Sequence, residues 1–338
     1  MLNPGGVDLF KAFFKVLLAV TALATIAALT PVQLHAAQLS SDARGAIPHD
    51  VQQLVAIDYR VMQNSSSAMG LRERVMPPEL KQFDEALRKS GLNGSEDFDQ
   101  FVDQLAFALY RPRGEAKGDS DSLATVGVAQ GQFPMADILA NFRKQKIKPQ
   151  LVRTNKLYAM GKTGMVACFV DPSTMVFGGS ESVRAALDAR DGSAPSLLTN
   201  APMMDAMKTV DAAPLWSILD QKGTQTMMRQ ILGEAGKVTD FETVRKRLVA
   251  SWYSMDFQHG VKFDLTISTG DSFTSATIAS LLSAAVAYRK VSGSEPEKQA
   301  LTATDVQSDA GRLSIHFATS DTEFISLMQS PLFQSMVH

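Results

Sequence analysis

Cysteine is almost absent: Cys168 is the only one in 338 residues. A single cysteine forbids an intramolecular disulfide, a thiolate metal cage and a lipidated cysteine behind an N-terminal apolar run. Histidine is scarce too, with five residues. None falls in an HExxH or His-x-His pattern, so zinc chemistry has no motif to stand on. Aromatic residues make up only 7% of the chain. Charge of one sign is also lacking, since 33 Lys and Arg face 35 Asp and Glu, a formal net charge of −2. A dedicated nucleic-acid binder needs a dominant basic surface, and this balance excludes one. What is present is ordinary globular material: 45% hydrophobic and 20% charged residues, enough for a sizeable core.

The N-terminus departs from that average. Lys11 and Lys15 precede an apolar run, and no Asp, Glu, Lys or Arg occurs from Val16 to Ser41. A basic flank before such a run is the pattern of a secretory signal or a signal-anchor. Val16 to Thr30 is 15 residues, the size of a signal core; extension to Leu34 gives 19, enough to span a bilayer. A cut after Ala37 leaves His35 at the −3 position, and a cut after Ala36 leaves Leu34 there, both poor small-residue matches. Two fates therefore stay open for residues 1–37, a cleaved signal peptide or a retained anchor. Both predict export, to the periplasm or to the inner membrane surface, with membrane contact through Val16–Leu34 if the segment is kept.

The rest of the chain reads as two α+β halves. In the first, strand-like runs are expected at 51–60, 103–111, 123–131, 151–161, 165–171 and 174–179. Helices are expected at 77–91, opened by Pro77 and Pro78 and stopped by Gly91, at 135–145 after Pro134, and from Ser180 to a stop at Gly192. The stretch 192–202, rich in Gly, Pro, Ser and Asn, is the expected boundary. The second half offers strands at 215–221, 251–257, 261–269 and a hairpin over 304–319. Its helices are expected at 224–233, 241–249, 272–291 and near the C-terminus. Both halves share an element order, which predicts domains at 38–195 and 202–338. Each would be a two-layer α/β sandwich with a mainly antiparallel sheet, following the N-terminal apolar helix.

Five segments carry a resemblance: DVQQLVAIDYRVMQNS (50–65), PPELK (77–81), VGVAQGQF (126–133), SESVRAALDARDG (180–192) and WSILDQKGTQTMM (216–228). They resemble a family of exported bacterial proteins of unknown function, over most of the chain after residue 37. The resemblance implies an exported location and a two-domain α+β build. It supplies no catalytic residues.

Candidate chemistry is thin, and each candidate has a plainer alternative. The GKT at 161–163 lacks the glycine five residues earlier that a phosphate loop needs, because position 156 is Lys; a hairpin turn is the simpler reading. The GDS at 270–272 sits between a strand and a helix, where a nucleophilic Ser272 could meet oxyanion donors, with His316 as the possible base. The alternative is that Asp271 or Ser272 caps the long helix. Cys168 lies among apolar neighbours and reads as a small buried hydrophobe. The acidic group Glu96, Asp97, Asp99 and Asp103 lacks calcium-loop spacing and reads as a solvated face. The basic run Arg143, Lys144, Lys146 and Lys148 follows a helix, where cations suit the dipole; an anionic envelope partner is the competing reading. Sixteen methionines are present. Met203, Met207 and Met227 could line a hydrophobic ligand groove or a copper(I) site, against the plainer role of core filling.

No metal or cofactor is expected. The leading expectation is an exported, non-enzymatic binding or interaction protein of the bacterial envelope, with an unknown protein or a hydrophobic ligand as partner. A serine hydrolase using Ser272 and an envelope assembly factor are the alternatives.

Overall fold

The computed structural model describes residues 38–75, 101–112, 123–160, 164–232 and 241–330. The expected helix at 77–91, the GKT turn and the N-terminal apolar run lie outside them. The chain is α+β, as expected, and packs as two compact units. Of the described residues, the first holds those of 38–61 and 101–212, and the second those of 62–75 and 213–330.

The first unit opens with α1 (Ser41–Gly45), capped by the Ser40 hydroxyl, and β1 (Val51–Asp58). Helix α2 (Tyr59–Gln63) then carries the chain out of it to α3 (Ser66–Val75), which belongs to the second unit. The first unit resumes with β2 (Val102–Tyr110), β3 (Ala124–Gly131) and α4 (Met135–Lys144). Two hairpins follow, β4 (Gln150–Val152) with β5 (Asn155–Ala159), and β6 (Met165–Asp171) with β7 (Thr174–Gly179). Helices α5 (Ser180–Arg190) and α6 (Ala201–Met207) complete it. Its sheet is antiparallel throughout, in the order β1-β2-β3-β7-β6-β5-β4.

Its core gathers Leu105, Phe107, Phe133, Ile138, Phe142, Tyr158, Met175 and Phe177. Helix α4 presents Ile138 and Phe142 inward, four residues apart and so on one face. Gly127 on β3 is a packing requirement. Phe177 stands opposite it in the register, and a Cβ on Gly127 would come within 2.2 Å of that ring. The bare glycine lets Phe177 lie across β3 and meet Phe107 edge-on, with centroids 5.8 Å apart.

Two expectations change here. The run 151–161, read as one strand, is a hairpin turning at Arg153 and Thr154, with Arg153 at φ 55°. No glycine or Asn-Gly pair announces that turn. The stretch 192–202 is no free linker: Leu197 is buried, its amide donates to the Ile47 carbonyl at 2.8 Å, and the His49 amide donates to that of Pro195 at 3.1 Å. The first unit runs on to Ala212.

The second unit begins, beyond α3, with β8 (Leu215–Leu219), α7 (Gln221–Leu232) and α8 (Phe241–Lys246). Next come β9 (Leu248–Asp256), β10 (Val261–Thr269), α9 (Ser272–Ser292) and α10 (Glu295–Thr302). The chain ends in β11 (Thr304–Asp309), β12 (Arg312–Thr319) and α11 (Asp321–Met328). The sheet order is β8-β9-β10-β12-β11, again fully antiparallel. Phe263, Leu265 and Ile267 on β10 and Leu313, Ile315 and Phe317 on β12 are buried, while Lys262, Asp264 and His316 between them are exposed. One face is covered and the other wet, which is how an antiparallel sheet tolerates alternation. Helix α9 packs over β10, β11 and β12 through Ile278, Leu282 and Val286. Ser67 of α3 donates its hydroxyl to the Asp321 carboxylate at the start of α11.

The strands of the two units share a topology. Without the β4–β5 hairpin, the first reads β1-β2-β3-β7-β6, and the second reads β8-β9-β10-β12-β11. In each, three strands form a meander, a helix follows, and the last strand inserts between the third and fourth.

Candidate functional site

The described residues of the first unit include an open pocket at an end of the sheet. Its lining is Phe101, Gly131, Gln132, Phe133, Pro134, Pro172 and Ser173, around a volume of about 470 Å³. Three chain segments meet there because the strand ends are stitched by backbone bonds. The Gln132 amide donates to the Phe101 carbonyl at 2.9 Å, the Gly131 amide to that of Ser173 at 2.9 Å, and the Phe133 amide to that of Pro172 at 3.2 Å. Gly131 permits the approach, since a Cβ there would lie 1.8 Å from the Phe101 carbonyl oxygen. Phe133 is fixed from behind by Phe169, edge to face with centroids 5.4 Å apart.

The turn beneath the pocket is closed by hydrogen bonds to its own aspartate. The Asp171 carboxylate accepts from the Ser173 amide at 2.6 Å and hydroxyl at 2.7 Å. Burial alone would raise the Asp171 pKa; the hydrogen bonds from Ser173 and Thr174 outweigh it and hold the carboxyl below its usual value. No ionisable side chain is among the lining residues. Such a surface can take up an apolar group; it offers nothing to move a proton.

The candidates from the sequence are placed as follows. Asp271 caps α9: its carboxylate accepts from the Thr274 amide at 2.8 Å and hydroxyl at 2.9 Å, and pairs with Arg247 at 2.9 Å. The Thr274 amide bond is the largest cause of a lowered Asp271 pKa, which burial opposes and the Thr274 hydroxyl and Arg247 reinforce. Ser272 is the first residue of that helix and exposed. His316 pairs with Asp264 across β12 and β10, on the wet face away from α9. That row lies five residues before Thr269 at the end of β10, roughly 16 Å along the strand. The fold thus separates Ser272 from His316. Replacing Ser272 by alanine is expected to leave the melting temperature unchanged, whereas Asp271→Ala lowers it at neutral pH. Because the folded pKa of Asp271 is depressed, its stabilising contribution is present above the unfolded value and lost as pH falls through the folded one. A thermal melt of both variants at pH 7 and pH 3 checks this.

Met203 and Met207 are buried in the first unit and Met227 in the second, all as packed side chains. Cys168 is fully buried, and that burial pushes its thiol up to about 11, well away from a reactive thiolate. Of the acidic group only Asp103 is described, and it pairs with Arg60. In the basic run the Arg143 Nε donates to the Leu139 carbonyl at 3.2 Å, one turn back in α4. Among the described residues no group of three or more His, Cys, Asp or Glu is placed to hold a metal ion, and no helix is long and apolar enough to cross a membrane. The pocket was not foreseen from sequence. Its only local signals are the paired GQFP (131–134) and DPS (171–173) turns, whose meeting depends on the β3–β7 pairing.

Fold and site together define an α+β protein of two antiparallel-sheet units with an apolar pocket. No protein-family model matches the chain, and no curated protein matches it. Among solved structures it is similar to crystal forms I and III of TP0453, each with TM-score 0.48 and 12% identity. The match covers 84% of this chain and 95% of the form I chain, and 86% of this chain and 99% of the form III chain.

Proposed function

We propose that this chain is an exported, non-enzymatic binding or interaction protein of the bacterial envelope. The observation that carries the binding role is the apolar, uncharged pocket around Phe101 and Phe133, which suits an apolar group of a ligand or partner. Export is supported by Lys11 and Lys15 ahead of the charge-free run from Val16, and by the resemblance to exported bacterial proteins.

Two measurements test the two parts. Residues 1–37 fused to an alkaline phosphatase lacking its own signal should give active enzyme, which matures only outside the cytoplasm; an inactive, stably expressed fusion would overturn export. For the pocket, anilinonaphthalene sulfonate titrated into the full chain should brighten on binding. Gln132 is exposed at the pocket mouth, so Gln132→Trp should remove most of that signal without lowering the melting temperature. An equal signal from both proteins would sink the pocket as the site.

A further inference from the structure

Among the described residues, the second unit has one sheet edge with no strand beyond it. Strand β11 is the last strand of that sheet, paired with β12 and with no other described strand. Asp305, Gln307, Ser308 and Asp309 are exposed. The β11–β12 register runs without a bulge from Thr304 opposite Phe317 to Asp309 opposite Arg312. Neither proline nor lysine interrupts the strand. Both are devices that commonly blunt an edge.

The first unit shows how this edge is used when it is filled. By strand order, β6 there holds the place that β11 holds here. The outer side of β6 is not open: β5 adds to it as an antiparallel strand, with Tyr158 opposite Ala167 and Ala159 opposite Val166. Among the described residues, the same topological edge thus carries an added strand in one unit and none in the other.

The charges on β11 say what would fit. Asp305, Gln307 and Asp309 alternate along the strand and share its wet face with His316 and Arg312 of β12. A second copy paired antiparallel about Gln307 would set Asp305 against Asp309 of the other copy, a like-charge opposition that destabilises. A strand with cations at alternate positions meets both carboxylates. We propose that the outer edge of β11 receives an extended peptide segment bearing lysine or arginine at alternate positions, as an added antiparallel strand. This deepens the reading as a binding protein but does not use the pocket. A failed dye titration and a failed peptide titration therefore count against different claims.

The probe is a fluorescent ten-residue peptide of alternating lysine and threonine, titrated into the full chain by anisotropy. Comparison peptides replace lysine by glutamate, or carry methyl groups on every second backbone amide in either of the two alternating sets. The lysine peptide should bind and the glutamate peptide should not. One methylated set should abolish binding, because its amides supply the main-chain bonds. Asp305→Lys with Asp309→Lys should weaken binding roughly tenfold or more, by turning two cross-strand attractions into repulsions. The unfolding transition seen by Trp216 and Trp252, both in the second unit, should remain. Three results would overturn the proposal: no binding; binding that survives both methylated sets, which means adhesion by charge alone; or a concentration-dependent dimer of the wild-type chain that tightens in the Asp305→Lys variant, where lysine then faces Asp309 of the other copy, which gives the edge to a second copy.

Discussion

Phe142→Ala is expected to cost the first unit about 3–5 kcal/mol, the loss typical of a large aromatic removed from a core. Phe142 is 1% exposed. Its ring stacks on Tyr158 at 4.5 Å between centroids and 20° between planes. Helix α4 carries it, and β5 carries Tyr158. The contact therefore joins the crossover helix to the inserted hairpin, and alanine leaves a cavity that neither element can fill by moving alone. A domain is typically stable by 5–15 kcal/mol, so the loss is a large share of the whole. Urea unfolding followed by far-ultraviolet dichroism measures it. Both tryptophans lie in the second unit, so their fluorescence follows that unit alone. A shift confined to the dichroism signal means the units unfold independently; a shift in both means they are coupled. A change in dichroism midpoint worth less than about 1 kcal/mol would show that Phe142 is not the keystone its burial indicates.

What the sequence disclosed and what it withheld divide along physical lines. Helix α9 was legible at its start because Asp271 is a strong capping type ahead of a long charge-free run, and the structure makes Asp271 the cap. Strands β10 and β12 were legible because Phe263, Leu265 and Ile267, and Leu313, Ile315 and Phe317, recur with period two. Helix α5 was bounded by Gly192, which adopts φ 74° just beyond its end. These are local signals, each written within a few residues.

The hidden features are non-local or chemically silent. The β4–β5 turn places Arg153 at φ 55°, where glycine or asparagine would be expected. Arg153 is held by Asp191 at 3.1 Å and by Asp188, both at the end of α5. Tertiary contacts thus fix a turn that the local sequence does not encode. Residues 62–75 pack with a unit whose other described residues begin more than a hundred positions later. Nothing in SSAMGLRERV names Asp321 as the partner of Ser67. The boundary expected at 192–202 rested on composition, yet Leu197 in that stretch is buried. The placement of Ser272 relative to His316 is non-local in the same way: strand alternation puts His316 on the wet face, while the helix that carries Ser272 begins at the strand's end.

The pocket rests on a position where even one methyl group cannot enter, and Gly131→Ala is expected to be the second costly change. The added Cβ would lie 1.8 Å from the Phe101 carbonyl oxygen and 2.8 Å from its carbon. These are backbone atoms, so no side-chain rotation relieves the clash. The Phe101 carbonyl also accepts the Gln132 amide, and the Gly131 amide reaches Ser173 across the neighbouring strand end. Moving either segment strains both stitches. The expected loss is about 3 kcal/mol, at the upper end for overpacking. The same displacement opens the gap between Phe101 and Phe133, so dye binding should fall further than in Gln132→Trp, together with the melting temperature. The pattern of the two variants carries the argument. Gln132→Trp should lose binding while keeping stability, and Gly131→Ala should lose both. If Gly131→Ala kept the wild-type melting temperature, the close approach of β3 to Phe101 would be wrong, and the pocket built on it would fall as well.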